Sequence, residues 1–98
     1  MTNPEAESEA VLAFIRERQA EVLSGAISQL SECSIVDLPA VLHKATGSVG
    51  SYRLEEAHAL LVELSGVVSD PTATQAGIEE ARARTVDALR AAGTGAHA

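Results

Sequence analysis

The chain has no tryptophan, one phenylalanine, one tyrosine, one methionine and one cysteine among its 98 residues. With Phe14 and Tyr52 as its only rings, the core must be filled by Leu, Val, Ile and Ala, packed closely to replace aromatic bulk. A single cysteine, Cys33, excludes an internal disulfide and reads as a small reduced apolar side chain in a cytosolic protein. Bases are scarce as well: seven Lys and Arg against fourteen Asp and Glu leave a net charge of −7. That balance opposes phosphate-backbone binding, which depends on cations that displace counterions, so no nucleic-acid partner is expected. No apolar run approaches the ~20 residues that span a bilayer. The opening Met-Thr-Asn-Pro-Glu-Ala-Glu is acidic, unlike a signal peptide. The expectation is one small acidic domain in the cytoplasm, with no membrane partner.

What the chain does have is helical spacing. Apolar residues make up 46% of it, and they recur at steps of three and four. From Pro4 to about Cys33 the stripe is Val11, Leu12, Ile15, Val22, Leu23, Ala26, Ile27 and Leu30, with Gln19 as its one polar interruption. Pro4 suits a first helical turn, and Glu5, Glu7 and Glu9 sit where the positive end of the dipole favours acids. Gly25 leaves room for a division of this stretch and so for a short extra amino-terminal helix. Asp37 reads as the N-cap of a helix reaching about Val49, with Pro39 in its first turn and Gly50 as a left-handed stop. Ser51 can cap the next, from Tyr52 to about Val68, with Leu54, Ala57, Leu61, Leu64 and Val68 inward. Asp70-Pro71 breaks the chain, and Thr72 or Thr74 starts a last helix with a thin apolar face of Ile78, Ala81, Val86 and Leu89. Residues 1–91 thus read as an all-α, up-down four-helix bundle, and residues 92–98 as a frayed tail.

The informative segment lies in the second helix. At about 100° per residue, Leu38, Val41, Leu42, Ala45 and Val49 share one arc, and His43 points away from it by roughly 140°. Its neighbours on its own face are Pro39, Ala40, Thr46, Gly47 and Gly50, none of them long. An exposed face normally carries Glu, Lys, Gln or Arg; this one is cleared. A glycine inside a helix costs about 1 kcal/mol relative to alanine, so Gly47 calls for a reason. Close approach by another protein's backbone supplies one. From Leu38 through Leu54 the chain also has no acid, while Lys44 and Arg53 are present. A histidine carrying a dianionic phosphoryl group needs such surroundings, because nearby carboxylates would repel it.

The run from His43 to Tyr52, with Gly47, Ser48 and Gly50 inside it and Leu54 beyond, resembles the histidine-containing phosphotransfer (HPt) domain. The likeness extends over roughly Val11 to Leu89, and only Leu42 to Leu54 is specific. It implies a four-helix bundle in a bacterial two-component phosphorelay. His43 would be the phosphoacceptor, taking the group from the aspartate of a response-regulator receiver domain, or of a hybrid histidine kinase, and returning it. By the same resemblance Lys44, Thr46 and Arg53 would steady the phosphoryl group, while Ala40, Gly47 and Gly50 would admit the partner. Many members carry lysine where this chain has Thr46 and glycine where it has Arg53. Magnesium would sit on the receiver, and no cofactor is expected in this chain. No Walker or kinase-like glycine-rich loop is present, so the reading is a phosphocarrier and not an autonomous kinase.

Other readings stand beside it. The chain could be a non-catalytic interaction module that docks to a receiver or kinase without being phosphorylated. A plain helical adaptor would instead bury His43 or cover its face. His58 reads as a partly buried structural histidine and His97 as a solvated tail residue. His43, His58 and Cys33 lack the close spacings of a zinc site. A monomer is the expectation, with Val11, Phe14 and the weakly apolar last helix compatible with either a monomer or a dimer.

Overall fold

The computed structural model describes residues 4–95, with side-chain surroundings over residues 9–93. Four helices follow one another: α1 (Pro4–Glu32), α2 (Leu38–Ser51), α3 (Glu55–Ser69) and α4 (Gln75–Gly95). Among the described residues there is no strand. α1 packs on α2 and α4, and α3 packs on the same two, closing a ring of neighbours. Gln19 meets Tyr52 at the far end of α2, Arg82 near the start of α4 reaches Cys33 at the end of α1, and Gly93 faces Leu23. Each neighbouring pair is therefore antiparallel, as short connections require.

The inward stripes of α2, α3 and α4 lie where the spacing places them. Leu38, Leu42, Ala45 and Val49 meet Ala57, Leu61 and Leu64 and then Ala81, Val86 and Leu89, with Ala26 and Leu30 from α1. Every buried side chain described is aliphatic, and none is polar or charged. Thr74 starts α4 by accepting the Gly77 N–H at 3.0 Å on Oγ1. In the turn before it, the Asp70 carboxylate accepts from the Thr72 N–H and hydroxyl, which holds its pKa below the usual carboxylate value.

Several boundaries differ from expectation. α1 is unbroken, so Gly25 divides nothing and no extra amino-terminal helix forms. A penalty of about 1 kcal/mol at one exposed glycine is too small to break a helix anchored on the core at both Ala26 and Leu30. Gly50 is helical, and α2 continues to Ser51, whose hydroxyl donates back to the Gly47 carbonyl instead of capping α3. The left-handed residue is Arg53, at φ 58°. Its N–H bonds to the Gly50 carbonyl at 3.1 Å and the Leu54 N–H to the Val49 carbonyl at 3.0 Å, the paired bonds of a Schellman ending. Asp37 stands at the N-cap of α2 without a side-chain bond to the helix. α4 runs on to Gly95, with Gly93 set against Leu23 of α1, so the last helix does not end at residue 91. His97 lies outside the described residues.

The largest departure is in α1. Its stripe is contiguous in the sequence, yet every residue from Glu9 to Arg18 is exposed, Val11, Leu12, Phe14 and Ile15 by 41–57%. α1 has 29 residues against 14 in α2 and 21 in α4, the two helices it packs on. Burial begins near Gln19, which reaches the far end of α2. The half before it projects past the bundle.

Candidate functional site

α2 carries the site because its buried arc is complete without His43. Leu38, Leu42, Ala45 and Val49 fill the inner face, and the imidazole is left exposed. His43 borders a cleft of ≈ 250 Å³ between α2 and α3. Pro39, Leu42 and Thr46 line it from α2, and Ser65, Val68 and Ser69 from α3. Apart from His43, no Asp, Glu, Lys or Arg borders the cleft.

The small residues flanking the ring are exposed as expected: Ala40, Gly47 and Gly50. A Cβ added at Gly47 would meet nothing within 4 Å. The bundle itself therefore does not demand glycine there. Gly50 is different, since a Cβ on it would touch the His58 ring at 3.4 Å. His58 is exposed and rests beside this helical glycine; it is not the partly buried residue its position near the α3 stripe suggests. The gap left by Gly50 gives the ring a resting place on the flank of α2, outside the core.

The three residues expected to steady a phosphoryl group are not gathered around His43. Thr46 borders the cleft, but its hydroxyl donates to the Leu42 carbonyl at 2.6 Å. A hydroxyl has one proton, so this one is committed to the helix and offers only lone pairs outward. Lys44 lines a different groove, of ≈ 140 Å³ between α1 and α2, together with Glu21, Gln29 and Ser48. Arg53 sits at the α2–α3 corner, ten positions along the chain and about 15 Å along the axis by helical rise. Proximity in sequence does not translate into convergence here, because consecutive helical residues point about 100° apart.

Some contributors were not singled out in the sequence. Ser65 and Ser69 supply the α3 wall, and both follow Leu61 at four-residue steps, which puts them beside the buried arc. Gln19, the polar break in the α1 stripe, donates from Nε2 to the Tyr52 carbonyl at 2.8 Å and so satisfies the end of α2. The Arg82 guanidinium donates to the Cys33 carbonyl, a cation at the negative end of α1. Among the described residues no group of His, Cys, Asp and Glu could hold a metal ion, and no helix is long and apolar enough to cross a membrane. Comparison with known proteins finds no family model, no curated protein and no solved structure that matches the chain. The fold is a four-helix bundle presenting one histidine on a cleared helix face.

Proposed function

We propose that the protein is a histidine phosphocarrier of a two-component phosphorelay, with His43 as the residue that accepts and returns the phosphoryl group. The observation that carries this reading is the exposed imidazole beside Gly47, a helical glycine that the bundle's own packing does not require. In the forward step, a neutral ring nitrogen attacks the phosphorus of an aspartyl phosphate on a receiver domain. The N–P bond forms as the P–O bond breaks, and the receiver's carboxylate leaves; the reverse step restores the acyl phosphate. The transition state is loose, so alignment of donor and acceptor does most of the work. The small residues beside the ring let a receiver bring its aspartate to it. The receiver's own magnesium and cations neutralise the charge, in keeping with a cleft that has no fixed cation of its own.

That last feature also favours a second reading, a module that docks to a receiver or kinase without being phosphorylated. Thr46 with its proton committed, Lys44 in another groove and Arg53 at the far corner all leave the ring without a local cation. One experiment separates the two. Incubation with a phosphorylated cognate receiver labels the wild type with an acid-labile group, while His43→Gln stays unlabelled and retains its helical circular dichroism. Equal labelling of both proteins overturns the assignment of His43. Binding without labelling of the wild type selects the docking module.

A further inference from the structure

We propose that two serines of α3, Ser65 and Ser69, hold the phosphoryl group once it is on His43, which makes the cleft beside the ring a neutral cradle for phosphohistidine. The inference rests on the phosphocarrier reading and adds what the carrier does alone, between partners. A docked receiver brings its own magnesium and cations. Once it departs, a dianionic group is left on the ring, and no Lys or Arg borders the cleft to meet it.

The fold sets the serines at the right height. α2 and α3 run antiparallel through the corner at residues 52–54. His43 stands eight residues before the end of α2 and Ser65 ten after the start of α3, a difference of about 3 Å by helical rise. Side chains lean towards the amino end of their own helix. The imidazole therefore tilts away from the corner and the Ser65 hydroxyl towards it, which closes that gap. Ser69 follows one turn beyond, facing Pro39. All of them border the one cleft of ≈ 250 Å³, room for several molecules at the ~30 Å³ that water takes up in the liquid.

The two hydroxyls also have their protons to give. Helical Ser and Thr often donate to the carbonyl four residues back, and Thr46, Ser51 and Thr85 do so here. Ser65 and Ser69 make no side-chain hydrogen bond among the described residues. Each can offer one donor, and a donor to an ionised oxygen forms a short, strong bond. The amino end of α2 and the carboxyl end of α3 meet at this side of the bundle with opposite dipole ends, so neither sign prevails. That leaves the serines as the donors among the side chains that wall the cleft beside His43.

The consequence is a longer-lived phosphohistidine. In a loose transition state charge drains from the phosphoryl oxygens towards the leaving group, so donors to those oxygens favour the intact group over the breaking one. Phosphoramidate tests this without a receiver. Its P–N bond breaks and ammonia leaves, a neutral histidine nitrogen takes the phosphoryl group, and the ring's other proton passes to solvent. The chain has three histidines, and the phosphorus NMR signal missing from His43→Gln identifies the group on His43. After the reagent is removed, that signal should decay about fivefold faster in Ser65→Ala/Ser69→Ala than in the wild type. Signals from the other histidines should decay unchanged, and helical circular dichroism should be kept, because neither serine is in the core. Equal decay of the His43 signal in both proteins overturns the inference and leaves the phosphocarrier reading standing. Faster decay at every histidine overturns it too, since the effect is then not local to the cleft. Absence of a His43 signal from the wild type overturns both. A serine effect in a loaded protein that passes nothing to its cognate receiver supports the cradle and overturns the relay.

Discussion

Arg53 takes a backbone conformation that side chains with a Cβ rarely adopt, and it is the one non-glycine among the described residues to do so. The Schellman ending of α2 needs a left-handed residue at that position, and a left-handed L-residue costs roughly 1–2 kcal/mol. Arg53→Gly should therefore raise stability by about 1 kcal/mol, after allowing for glycine's greater freedom in the unfolded chain. In a domain of this size that corresponds to a rise of some ~4–8 °C in melting temperature, measured by calorimetry. The stop of α2 was legible in the sequence only to within a few residues. Gly50 attracts the eye because glycine favours such turns, but the register of Val49 and Leu54 decides which residue must turn. Leu54 has to reach back over Val49 to stay against the core, and that places the bend at Arg53.

Among the elements, α2 combines a well-packed inner face with a deliberately bare outer one. Its orientation could be read from five apolar positions, because a buried arc fixes the direction of every other residue on the same helix. The exposure of His43 and the cleared positions around it follow from that arithmetic alone. What periodicity cannot give is the identity of groups brought in from other elements, and so the serines of α3 and the separate groove holding Lys44 were not legible. Gly47 offers a test at this scale. Gly47→Ala should stabilise the protein by about 0.5–1 kcal/mol, because the new methyl meets open space and alanine is the better helix former. The same substitution should slow transfer from a phosphorylated receiver if a partner backbone uses that space. Denaturant titration reads the first effect and phosphoryl-transfer kinetics the second; a gain in stability with unchanged transfer would remove Gly47 from the docking surface.

α1 teaches the complementary lesson. Its stripe shows which residues share a face, yet the spacing is silent on whether anything covers that face. Only the lengths of the neighbouring helices decide it, and the two that α1 packs on, α2 and α4, have 14 and 21 residues against its 29.

For the molecule as a whole, the all-aliphatic interior was legible from the scarcity of rings, and burial confirms it. Seven side chains are almost wholly enclosed: Leu30, Leu38, Leu42, Leu61, Leu64, Leu89 and Val49. They come from all four helices, so loosening one is felt by the rest. Leu61→Ala should cost about 2–5 kcal/mol, through lost transfer energy and the cavity left behind. For a domain whose total stability is of the order of 5–15 kcal/mol, that is a large share, and the drop in urea midpoint measures it.

Ring scarcity has a spectroscopic corollary. The solitary phenyl group sits on the overhanging segment of α1, with the Arg18 guanidinium 5.3 Å from its centroid, while the solitary phenol marks the corner joining α2 and α3. Proton resonances of aromatic type (imidazoles aside) thus arise from two distinct places, without any label being introduced. One signal reports on events at the overhang and the other on events at the corner, so each can be followed in a single spectrum as concentration or partner is varied.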